Sequence, residues 1–207
     1  MPFMDEPIRP LARDNGMKHF RGFVIAALLA IFAMVAWANE IGISNASLSP
    51  ADDGGYMLSA DFDLTLSHRL EDALSEGVPL YFALDFECYR PRWYWFDATV
   101  AKKTHQARLS FHALTRTYRL STGALHQTFA TAEEAVRALS TVRSWHVLSP
   151  GDLRPDTSYE VAIHMALDVD QLPKPFQVSA LTNRDWTLSS RWERWGFATG
   201  ADGKIVR

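Results

Sequence analysis

The stretch RPRWYWFD, Arg90–Asp97, holds two arginines and four aromatic residues within eight positions. Guanidinium groups beside indole and phenol rings are enriched at protein-interface hot spots, and the same rings can line a ligand pocket. The binding residues expected from this stretch are Arg90, Arg92, Trp93, Tyr94 and Trp95. Lys174, in the proline-stiffened LPKPF of residues 172–176, is a further candidate. The competing arrangement is a packed corner, in which Arg90 and Arg92 pair with Asp85, Glu87 or Asp97 and stack on tryptophan rings.

Other reactive side chains lack the spacing that catalysis or metal binding requires. The seven histidines, at 19, 68, 105, 112, 126, 146 and 164, form no HxH or HExxH pattern, and no Cys/His set accompanies them. There is no GxSxG elbow, no phosphate-binding loop and no dinucleotide fingerprint. Asp61/Asp63 and Asp168/Asp170 sit two apart, as on any solvated strand face. Cys88 is the single cysteine. It falls on an apolar strand face, where a thiol behaves as a small hydrophobe. No catalytic residue, metal or cofactor is therefore expected, and the chain reads as something other than an enzyme.

The elements that carry these residues are mainly strands. Period-two alternation is clearest in YMLSADFDLTL, residues 56–66, and YEVAIHMALDV, residues 159–169. A third run, Leu80-Phe82-Leu84-Phe86-Cys88, leads into the aromatic stretch. Continuing its face would bury Arg90 and Arg92 around Pro91, so the chain should turn or bulge there before a new strand bearing Trp93 and Trp95. Weaker strands are expected at Ile41–Leu48, Gln106–Leu114, Thr117–Ser121 and Trp145–Leu148, and a last one to about Ser190. A short helical or irregular tail would follow, and a helical turn there would place Trp192 and Trp195 together.

Two short helices interrupt the pattern. SHRLEDALSEG has Ser67 as N-cap and Gly77 as its stop, and TAEEAVRALSTV has Thr131 with Glu134 at capping-box spacing. LPKPF reads as an extended loop. Short strands without regular βα alternation favour an antiparallel, immunoglobulin-like β-sandwich with two connecting helices, and a curled, barrel-like sheet is the second choice.

The first 38 residues read separately. Arg13, Lys18 and Arg21 precede the apolar run Phe23–Ala38, which ends small-x-small at Ala36-Trp37-Ala38. This is the grammar of a secretory signal peptide, and the run is shorter than the ~20 residues of a spanning helix. The alternative is an uncleaved inner-membrane anchor, given bulky Trp37 beside the cut. Both place residues 39–207 in the periplasm as one β-rich domain. Removing the four basic and three acidic residues of positions 1–38 leaves 17 and 21, a formal charge of −4. Nucleic acid is an unexpected partner for a slightly acidic, exported domain.

Five stretches carry a resemblance: LSADFDLTLSHRLEDAL (58–74), GVPLYFALDFE (77–87), RPRWYWFD (90–97), YRLSTGALHQTF (118–129) and LPKPFQV (172–178). Through them the chain resembles the bacterial domain-of-unknown-function family 4390, exported proteins found mostly in proteobacteria. The resemblance implies export. Genes of such proteins often lie beside a membrane sensor kinase of the nitrogen-regulation type, which implies a periplasmic or membrane protein partner. The expected function is a non-catalytic periplasmic interaction protein, accessory to such a sensor. The alternatives are a small-ligand carrier with an aromatic pocket, or an envelope structural or assembly factor.

Overall fold

The computed structural model describes residues 40–92 and 97–206. The expected signal segment, and Trp93, Tyr94 and Trp95 with their neighbour Phe96, lie outside the described residues. Eleven strands and three helices follow one another through the described chain. In order these are β1 Glu40–Pro50, β2 Tyr56–Asp63, α1 His68–Ser75, β3 Leu80–Arg90, β4 Ala98–His112, β5 Thr117–Thr122 and β6 Leu125–Phe129. Then come α2 Ala132–Leu139, β7 Thr141–Leu148, β8 Ser158–Leu167, α3 Lys174–Thr182, β9 Ser189–Ser190, β10 Glu193–Thr199 and β11 Ile205–Val206. Among the described residues no helix is long and apolar enough to cross a membrane.

All strands join one sheet, in the order β6-β5-β4-β3-β8-β9-β1-β2-β7, with β10 beside β8 and β11 beside β10. This corrects the expected two-sheet sandwich. Strand β1 pairs antiparallel with β2 and parallel with β9, so the strand groups that a sandwich would keep apart are hydrogen-bonded into one surface. The sheet curls into an open half-barrel. Its far edge strand, β7, folds back over the middle: Trp145 meets Phe86 of β3 edge-on at 6.3 Å, and Lys103 Nζ of β4 donates to the His146 carbonyl at 3.3 Å.

The alternation read from the sequence is the inner face of this curl. Leu80, Phe82, Leu84, Phe86 and Cys88 of β3 are all buried, opposite Val161, Ile163, Met165 and Leu167 of β8. Leu58, Ala60 and Phe62 of β2 complete the wall from the other side. A fully buried aliphatic or aromatic side chain contributes roughly 1.5–3 kcal/mol, so this face is the main source of stability. Strand β3 stays in register with β8 through Tyr89 and ends at Arg90, just before Pro91; the register shift in the β3–β4 pairing falls on β4, where Val100 is the extra residue.

Both anticipated helices form with their predicted caps. Ser67 Oγ accepts from the Leu70 N–H at 3.4 Å and donates to the Asp185 carbonyl at 2.6 Å, tying α1 to a segment 118 residues away. Past its end, Gly77 takes φ +93°, a left-handed conformation that favours glycine. Thr131 Oγ1 accepts from the Glu134 N–H at 3.2 Å, while Glu134 reaches back to the Ala130 N–H.

The third helix corrects the loop expected at LPKPF. Pro173 caps α3 and Pro175 lies in its first turn, where a missing amide donor costs nothing and the fixed φ suits a helix. The C-terminal tail is also corrected. A 3₁₀ turn covers Arg184–Trp186, and Glu193–Thr199 is a strand, because its backbone pairs with Ser158–Ile163 of β8. Trp192 and Trp195 therefore do not share a helical turn. Trp192 stacks on His164 at 4.9 Å, whereas Trp195 lies opposite Val161.

Topology sorts the connections. The connections carrying α1, α2 and α3, the β4–β5 hairpin and the start of β1 lie at one end of the strands. The connections β1–β2, β3–β4, β5–β6 and β7–β8 lie at the other.

Candidate binding cleft

The open side of the half-barrel holds a cavity of about 300 Å³, between β4–β6 on one side and α2 with β7 on the other. Its floor is apolar, built from Phe82 and Leu84 of β3, Met165 of β8, Leu120 of β5 and Leu139 of α2. These point inward because each occupies the buried phase of its strand or the inner stripe of α2. Leu125 of β6, 61% exposed, stands at the rim.

Polar groups enter this apolar space through β4. In the β3–β4 register Leu84 faces His105 and Phe86 faces Lys103, so both polar side chains lie on the inner face. Nothing local in the sequence announces them, because KKTHQ shows no apolar alternation. The signal was the hairpin itself, since residues facing buried positions of β3 must share their side. Lys103 resolves its burial by donating to the His146 carbonyl. His105 packs its ring against Trp145, 5.1 Å away, and its half-buried position holds its pKa below the ordinary 6.5, which keeps the imidazole neutral at neutral pH.

The opposite wall is anchored by Arg143. Its guanidinium donates to the carbonyls of Ala60 at 3.1 Å and Val142 at 2.9 Å, and pairs with Asp61. The neighbouring Ser144 takes φ +53° where the β2–β7 register shifts. The cleft thus offers an apolar floor, a neutral imidazole and a fixed cation at its margin. That chemistry suits holding an apolar group and orienting one polar atom of it. Among the described residues no group of three or more His, Cys, Asp or Glu is placed to hold a metal ion.

Of the residues picked out from the sequence, the described ones, Arg90, Arg92 and Lys174, do not line this cleft. Arg90, half-buried, ends β3, and Arg92 is exposed in the β3–β4 connection, its backbone N–H donating to Asp97 Oδ1 at 3.2 Å. Lys174 begins α3, where its Nζ donates to Gln177 Oε1 at 3.1 Å. The segment leading to α3 is tied to the start of β3 by the Asp168 N–H on the Tyr81 carbonyl. At ~3.3 Å per residue, β3 separates that point from Arg90 by about 30 Å. Lys174 and the two arginines therefore serve no common site.

Two of the carboxylates offered to those arginines are engaged elsewhere, on the outer face of the sheet. Asp85 accepts from Thr104 Oγ1 at 2.6 Å and lies 3.9 Å from His164 Nδ1. Glu87 pairs with Lys102 at 2.7 Å and accepts from the Tyr89 hydroxyl. Lys102, and then Tyr89, hold the Glu87 carboxyl below the usual range, while the same hydrogen bond pushes the Tyr89 phenol up to about 12.

No curated protein and no solved structure matches the chain. Residues 38–196 match the sequence model described as Domain of unknown function (DUF4390), so the half-barrel and its cleft lie almost wholly within the matched span, and the chain belongs to that family.

Proposed function

We propose that the protein is a non-catalytic binding module of the bacterial envelope, exported by its first 38 residues, which holds an apolar group of a partner protein in the half-barrel cleft. The observation that carries this reading is an apolar-floored cavity of about 300 Å³ left open beside two sheet edges, with the half-buried His105 on its wall. A folded domain ordinarily fills such space with its own side chains. The family resemblance makes a membrane sensor kinase the first partner to test. A second reading, a carrier of a small apolar molecule, draws on the same volume.

The cleft is tested with the uncharged dye N-phenyl-1-naphthylamine. Saturable enhancement is expected, and it should disappear in Ala138→Trp, which fills the space beside Leu139. No saturable binding by the folded protein would overturn the reading. In cells, a photoreactive residue at Leu125 should give an adduct with the sensor that Ala138→Trp abolishes. A small molecule retained in native mass spectrometry, without that adduct, would favour the carrier.

A further inference from the structure

The two edges flanking the cleft differ in how they are protected. Strand β7 carries the register shift at Ser144, the Arg143 cation, and a carbonyl at His146 already engaged by Lys103. Bulges and inserted cations are the devices that keep sheet edges from pairing. Strand β6, LHQTF, has none of them: no Lys, Arg, Asp, Glu or Pro, and no irregularity in its pairing with β5. Among the described residues nothing pairs with its outer edge.

Register identifies the groups at that edge. The two-residue turn Gly123–Ala124 closes on Thr122 and Leu125, which makes that pair hydrogen-bonded, and Leu120/Gln127 and Tyr118/Phe129 follow the same phase. The N–H and C=O of His126 and Thr128 therefore point away from β5. Leu125, Gln127 and Phe129 share the side of buried Leu120, and Leu125 and Gln127 line the cavity.

We propose that β6 is a strand-addition site, and that its occupant is an extended segment of a partner protein with apolar residues at alternating positions. The added strand pairs its backbone with His126 and Thr128 and drops its inward side chains into the open cavity, over Leu120 and Leu139. A second copy of this chain fits less well. Antiparallel β6–β6 pairing centred on Gln127 would place an amide over the apolar floor, where a polar group lacking a partner is costly. The inference rests on the cleft reading above and names the kind of partner the cleft takes.

The probe is a blocked seven-residue peptide alternating threonine and valine, with a serine-for-valine peptide as control, added to the purified full-length chain. The valine peptide is expected to slow amide exchange at His126 and Thr128 by about tenfold or more, saturably, while the serine peptide does not. Thr128→Pro removes one outward donor and leaves β5 pairing intact, so it should abolish the protection. If that variant fails to fold, the exchange measurement on the unaltered chain decides alone. Absence of protection at those two amides, with dye binding retained, would overturn strand addition and leave the cleft reading standing. Loss of both would remove the cleft reading as well. Protection of the two amides before any peptide is added would also overturn the proposal, and sizing would then show whether a second copy or the chain's own segment fills the edge.

Discussion

The imidazole of His105, on β4, lies 5.1 Å from the indole of Trp145, on edge strand β7, with the rings tilted by 44°. Three strands separate β7 from β8 in the sheet order, and β3 lies between β8 and β4, so this contact is made across the curl rather than along the ladder. It fastens the half-barrel near its open side and puts the one half-buried histidine of the cavity wall next to the seam.

That placement makes stability depend on pH. Burial lowers the His105 pKa from its ordinary 6.5, so below 6.5 the unfolded chain binds a proton that the folded chain resists. The stabilisation is fully present above about 6.5 and is lost as pH falls through the lowered folded value. His105→Gln should flatten the melting temperature measured from pH 7.5 downward; an unchanged slope would place the effect elsewhere.

Cys88 is completely buried, and desolvation pushes its thiol up to about 12. At pH 8 the thiolate fraction is then on the order of one in ten thousand. Iodoacetamide should leave the native protein unmodified and label it promptly in denaturant. Rapid native labelling would mean that this part of the inner face opens readily.

Gly55 lies where the β1–β2 connection crosses β7. A Cβ there would stand 2.3 Å from the Leu148 carbonyl and 2.7 Å from His146 Nε2, atoms held by β7 and by the His146–Asp53 pair. Gly55→Ala should cost about 1–3 kcal/mol in denaturant unfolding. A cost near zero would show that this turn yields easily.

Phe86→Ala removes a fully buried ring that meets Trp145 and should destabilise by about 3–5 kcal/mol. Arg92→Ala, at an exposed position, should change stability by no more than about 0.5 kcal/mol. A loss of several degrees in melting temperature for Arg92→Ala would restore the packed-corner arrangement of RPRWYWFD.

The strands β2, β3 and β8, the inward thiol of Cys88 and both capped helices were legible in the residues, because burial on one face imposes period two and caps impose particular residue types. Weak candidates at β1, β4, β5 and β7 also form, each longer at one end or both than its apolar alternation indicated, although β4 stops at His112 rather than Leu114. The third helix and the strands after β9 were not legible: Pro173 and Pro175 suit a loop and a helix start equally, and β10 is a strand through its pairing with β8. The cleft depended still more on partners distant in sequence. His105 and Lys103 turn inward only because β4 pairs with β3, and the cavity exists only because β7 folds back over them. Local periodicity records which side of a strand is buried, whereas pairing and curl decide which strands meet, and here that meeting makes the candidate site.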